Sequence, residues 1–182
     1  MVAKTKQFYE RYPIDIERAA AVADVLQSRK VALPDGDPLT VERFQCLGSD
    51  FGMKPSFERV HWILDQAFLD GDGSASTSAE LSDEFLSSVM NATSSRPLYW
   101  PLQEFIYANG ELETPICWAA QRVRGEYPEF AGDIRPLNFT GEAMFPWMFE
   151  QERALRPFKP AMDVLMAVSY THLRAHETTL HL

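Results

Sequence analysis

Apolar side chains recur at helical spacing in one segment of this chain after another, and that recurrence restricts its fold more than any other feature. Phe57, Val60, Leu64 and Ala67 form one such stripe, and Leu81, Phe85, Val89 and Met90 form the next. Ile14–Leu26 is rich in alanine and aliphatic residues and has Pro13 at its entry. Asp15 and Glu17 fall in its first turn, where the helix dipole favours acids, and Arg29 and Lys30 follow its end. Thr40 caps a short helix through Leu47, and Ser56 caps the helix that begins at Phe57. Pro97 opens a segment carrying Leu102, Phe105 and Ile106. Thr114 and Pro115 then read as a cap and a first-turn proline leading into Trp118, Ala119 and Val123. Phe145–Phe149 is a dense apolar knot, and Leu155–Met166 has the pattern of an amphipathic helix. Leu33–Pro38 is a turn by composition, and Asp70–Ser78 is a loop. Only Pro136–Thr140 is β-competent before Gly141 interrupts it. The pattern predicts a mainly α fold with at most one or two short strands and no internal repeat.

The chain has 182 residues, enough to bury a real core, and carries a net charge of −9. That charge argues against nucleic acid and anionic membrane as partners, because both require a basic face. No apolar run approaches the roughly 20 residues that span a bilayer. Cys46 and Cys117 are the only cysteines, giving neither a disulfide framework nor a metal spacing, so a cytoplasmic location is expected. Asp70, Asp72 and Ser74 imitate a calcium loop. Ala75 and Leu81 stand where such a loop needs glycine and a bidentate glutamate, so no metal or other cofactor is expected there. His172 and His176, with Glu177 and His181, would share a helix face suited to a metal. Val168–Leu182, however, resembles one translated frame of a transposon-based sequencing adapter and is set aside from fold reasoning. The natural protein is then expected to continue differently beyond Ala167.

Catalytic chemistry is hard to find. There is no Gly-x-Ser-x-Gly and no phosphate-binding glycine loop, and His61 is the only histidine before the tail. His61 reads as a packed or surface residue, and Cys46 and Cys117 as small core residues. Two carboxylates stand out. Glu104 lies within the apolar and aromatic run Leu98–Tyr107, and Glu142 lies between Gly141 and Ala143-Met-Phe-Pro-Trp147. A carboxylate so flanked is either at a solvent edge or held for a charge partner.

The order of several stretches resembles the larger, actinobacterial-type proline iminopeptidases, serine peptidases of the α/β-hydrolase superfamily. These stretches are Phe8–Pro13, Leu33–Thr40, Arg43–Gly48, Phe57–His61, Pro101–Gly110, Trp118–Arg124, Phe139–Glu142, Pro146–Phe149 and Ala154–Pro157. The resemblance implies a helical cap (lid) segment over residues 1–133, a return segment toward the hydrolase core over 134–167, and a non-native tail over 168–182. It further implies release of N-terminal proline from peptides, with the serine elbow expected before Met1 and the Asp and His of the triad after Ala167. No catalytic residue is then expected within the chain, and the chain alone is expected to be inactive. Cap glutamates in the family hold the substrate ammonium. Glu104 matches the glutamate of the family's His-Glu-x-x-Tyr segment, with Gln103 in place of the histidine, and Glu142 matches Phe-Thr-Gly-Glu. Tyr107, Phe145 and Trp147 are candidates for the slot around the proline ring. Two other readings stay open: a stand-alone acidic helical binding module, and an α/β-hydrolase of different specificity.

Overall fold

Helix after helix forms where the apolar spacing demands it. A computed structural model of the chain describes residues 1–53, 57–69, 80–94, 96–107 and 114–167, the side chains of 104–107 excepted. The elements are α1 (Val2–Arg11), α2 (Asp15–Ser28), β1 (Val31–Ala32), β2 (Pro38–Leu39), α3 (Val41–Gln45), α4 (Phe57–Asp65) and α5 (Asp83–Ser94). After them come α6 (Tyr99–Tyr107), α7 (Ala119–Glu126), α8 (Met148–Gln151) and α9 (Lys159–Ala167), with short 3-10 turns between some of them. The fold is mainly α, as the periodicity predicts. The Asp70–Ser78 loop, the Ser56 cap and the Val168–Leu182 tail lie outside the described residues.

The described residues fall into two compact units. One comprises Met1–Ser95 with Arg124–Ala143, and the other Arg96–Val123 with Met144 onward.

In the first unit, α1 presents Thr5, Phe8 and Tyr9 inward. Phe8 stacks on Phe51 at 5.0 Å and meets Phe139 edge-on at 5.9 Å. Phe139 also packs edge-on against Phe44 and Phe51, at 5.7 and 5.5 Å. Burying each such ring is worth roughly 1.5–3 kcal/mol, and the edge-to-face geometry adds to it. Polar groups lock this core rather than float in it. Tyr9 Oη donates to the Leu137 carbonyl at 2.7 Å, and burial pushes its phenol pKa well above the ordinary value. Arg43 is fully buried and donates to Thr93 Oγ1 at 3.1 Å, Ser94 Oγ at 2.6 Å and the Pro38 carbonyl at 3.4 Å. Its guanidinium also lies 3.7 Å from Asp37.

The Leu33–Pro38 turn closes an antiparallel hairpin that pairs Val31 with Leu39 and Ala32 with Pro38. Gly36 takes φ 86°, a left-handed value that glycine adopts without strain. Thr40 caps α3 by accepting from the Arg43 N–H at 3.3 Å.

Pro136–Thr140, read from sequence as β-competent, is not a strand. Its backbone is satisfied by other groups: Gln45 Nε2 donates to the Asn138 carbonyl at 2.8 Å, and the Thr140 N–H donates to the Gln45 carbonyl at 2.9 Å. Those bonds hold Leu137 and Phe139 in the core without a ladder. Gly48 permits the close pass, because a Cβ there would lie 2.2 Å from the Thr140 carbonyl oxygen.

In the second unit, Trp118 packs on Phe149 at 5.8 Å, and Met144, Met148, Met162 and Met166 are buried. The expected cap and first-turn proline at Thr114-Pro115 do not start a helix. Cys117 and Trp118 take φ of 45° and 54°, which excludes a right-handed helix, and α7 begins only at Ala119. The Cys117 N–H donates instead to the Met166 carbonyl at 3.0 Å, and Arg122 holds the Ile116 and Cys117 carbonyls. The amphipathic segment over Leu155–Met166 is also divided. A 3-10 turn at Arg156–Phe158 contains Pro157, and the α-helix follows from Lys159.

Candidate functional site

The residues that sequence reasoning selected belong to different parts of the fold. Glu104 and Tyr107 sit on α6 of the second unit, and their side chains lie outside those described. Gln103, their neighbour, is buried. Glu142 belongs to the first unit and is exposed, following Gly141, where any side chain would meet the Met1 thioether. An exposed carboxylate accepts hydrogen bonds only, which suits it to an ammonium.

Phe145 and Trp147 are brought together. Their rings stack at 6.0 Å with an interplanar angle of 12°, just ahead of α8. Phe145 is buried and its N–H donates to Met148 Sδ at 3.4 Å, while Trp147 is half-buried. The Trp147 indole Nε1 is buried and has no hydrogen-bond partner among the described residues. The buried Phe145 ring backs the half-buried Trp147 indole, whose face is the part of the pair open to an apolar group.

Other residues did not stand out in the sequence. Glu152, in the second unit, is 1% exposed, a buried carboxylate whose polar neighbours Gln151 and Arg153 gave no sign of burial. His61 is packed, as expected, but in a more defined way than its apolar neighbours suggested. Its ring stacks on Tyr12 at 4.0 Å, and its Nδ1 lies 2.8 Å from Asp15 Oδ2. Asp15 is fully buried and also accepts from Arg18 Nη1 at 3.1 Å. Burial raises the Asp15 pKa, opposed by its hydrogen bonds to His61 and Arg18. The shared position of Tyr12, Asp15 and His61 is a clamp between α4 and the turn that joins α1 to α2. Cys46 is buried as expected, with Thr140 Oγ1 3.6 Å from its Sγ. Cys117 is exposed rather than a core residue, because the left-handed backbone at this point turns it outward. No helix among the described residues is long and apolar enough to cross a membrane.

Comparison with known proteins gives the site a context. No family model matches the chain. It is 38% identical over 165 residues to a proline iminopeptidase of Aeromonas sobria, a match covering 89% of this chain and 36% of that protein. It is 32% identical over 164 residues to the proline iminopeptidase aneH of Aspergillus aculeatus, covering 89% of this chain and 35% of that protein. By sequence the chain therefore belongs to the proline iminopeptidase family, and it spans about a third of the length of these curated relatives.

Proposed function

We propose that this chain is the substrate-recognition part of a proline iminopeptidase, a helical cap for an α/β-hydrolase core that releases N-terminal proline from peptides. The observation that carries this reading is the 38% identity extending over 89% of the chain. In this reading residues 1–133 form the cap region, 134–167 return toward the core, and 168–182 are foreign to it. A serine, an aspartate and a histidine supplied by sequence outside the chain carry out acyl transfer through a serine ester and an oxyanion hole.

The recognition chemistry follows from the substrate. An N-terminal proline offers a secondary ammonium and a compact apolar ring. Glu104 and Glu142 hold the ammonium through charge-assisted hydrogen bonds. Tyr107, Phe145 and Trp147 supply the surface for the ring, and the stacked Phe145–Trp147 pair supports that role. Requiring a free amine at the carboxylates confines cleavage to the first residue. The enzyme acts in the cytoplasm, without a cofactor.

The test begins with the genomic sequence on both sides of Met1–Ala167. A Gly-x-Ser-x-Gly before it and an aspartate and histidine after it support the reading. Native stop signals at both ends would leave a helical binding module instead. In the restored protein, Glu104→Gln is expected to lower kcat/KM for a prolyl amide by roughly ten- to a hundredfold, the worth of one hydrogen bond to a charged group. Proline release by the 182-residue chain alone, or a restored enzyme indifferent to proline, would sink the proposal.

A further inference from the structure

The first unit carries a second feature suited to a ligand, on the facing sides of α4 and α5. These helices frame a groove of about 540 Å³. Val60 and Leu64 of α4 point into the core and Ile63 borders both core and groove, yet Trp62, in the same helix, is 59% exposed and lines the groove. An indole left so open gives up much of the free energy that burial would provide, and large exposed aromatics concentrate at binding surfaces.

The charges around Trp62 determine what it can attract. Arg59 also lines the groove, and its guanidinium lies 3.3 Å from Asp50, a nearly buried carboxylate that offsets its charge. Glu58 is held by Arg11. Glu84, on the α5 wall, has no charge partner among the described residues. Ser88 and Asn91 follow it at helical spacing and line the same wall. Among the described residues the groove therefore combines an open indole face, the edge of Ile63, two ion-paired side chains, one carboxylate without a charge partner and neutral polar groups. An indole face draws a cation through its quadrupole, and a nearby carboxylate adds Coulombic attraction. An anion is repelled by Glu84, and a purely apolar group leaves Glu84 stranded.

We propose that the α4–α5 groove binds a lysine or arginine side chain of a peptide, with the cation over Trp62 and beside Glu84. This site lies wholly within the first unit and requires no N-terminal proline, so it is independent of the recognition chemistry proposed above. Both key side chains are on the surface, so substituting them leaves the core intact.

The experiment uses the full chain with nitrogen-labelled tryptophan, whose four indole signals are resolved by NMR and assigned with Trp62→Phe. The probe is an N-acetylated, C-amidated Gly-Lys-Gly-Lys-Gly peptide, and the control is its Glu counterpart. The blocked amine keeps the probe from acting as an N-terminal substrate, so failure here leaves the peptidase reading untouched. The expected result is a saturable shift of the Trp62 signal with the lysine peptide only. Glu84→Gln is expected to weaken binding by about three- to tenfold, in line with a partly exposed cation–π and charge contact. An unmoved Trp62 signal, an equal response to the glutamate peptide, or unchanged affinity in Glu84→Gln would overturn the proposal.

Discussion

Among the described residues, interlocking rings dominate the core of the first unit, whereas the second unit buries four methionines beside fewer rings. Phe139 sits among Phe8, Phe44 and Phe51 at distances between 5.5 and 5.9 Å, each edge meeting a face. Phe149 in the second unit is equally buried, but among the described residues its one ring partner is Trp118, and the same unit buries Met144, Met148, Met162 and Met166. Rings have few rotamers and a directional quadrupole, so a ring cluster specifies one arrangement. Methionine is flexible and fills whatever space its neighbours leave. The difference suits a scaffold in one case and an adaptable surface in the other.

A matched pair of substitutions tests this contrast. Phe139→Leu is expected to destabilise the full chain most, by about 2–4 kcal/mol, because it removes three edge-to-face pairs at once. Phe149→Leu removes the single tilted pair with Trp118 in a unit whose buried methionines are adaptable, so its expected cost is about 0.5–1.5 kcal/mol. Urea unfolding of both variants measures the two values, and equal costs would abolish the contrast.

A subtler effect concerns how the first unit tolerates a buried charge. Asp15 binds its proton more tightly folded than unfolded, so its raised pKa makes stability fall as pH rises toward and through that pKa. The cost of burying the ionised carboxylate is fully present above the folded pKa, shrinks as pH falls below it, and is gone only below the pKa of the unfolded chain. The stability of the native chain relative to Asp15→Asn should therefore increase as pH falls from 7 toward 4. A decrease would mean that His61 and Arg18 outweigh desolvation.

The fold was legible where burial has a period. The stripe from Phe57 and the stripe from Leu81 became α4 and α5, except that Ala67 lies past the end of α4 and Leu81 ahead of α5, bridged to Phe68, and the aspartates and glycine of Leu33–Pro38 became the hairpin turn. It was illegible where long-range bonds override local pattern. Pro136–Thr140 looks like a strand, but Gln45 claims its backbone. Cys117 and Trp118 carry no glycine to announce a left-handed bend, and only the distant Met166 carbonyl explains it. α1 went unrecognised because charged residues crowd the few inward positions, Thr5, Phe8 and Tyr9. Of the candidate site, the Phe145–Trp147 pair emerged as a physical unit because adjacent aromatics were legible. The burial of Glu152 was not, since an acid between polar neighbours gives no local sign of what encloses it.

The chain order of the first unit has a consequence for synthesis. Its core closes only when the stretch around Phe139 returns to residues made much earlier; the Tyr9–Leu137 hydrogen bond alone spans 128 positions. A ribosome adding about 5–20 residues per second needs a few seconds to travel from the end of α5 to Phe139. Throughout that interval Phe8, Phe44 and Phe51 lack their central partner, and the nascent polypeptide presents an unfilled aromatic socket. That interval is when a chaperone has most to offer, and a message that stalls there would release a product unable to complete its own core.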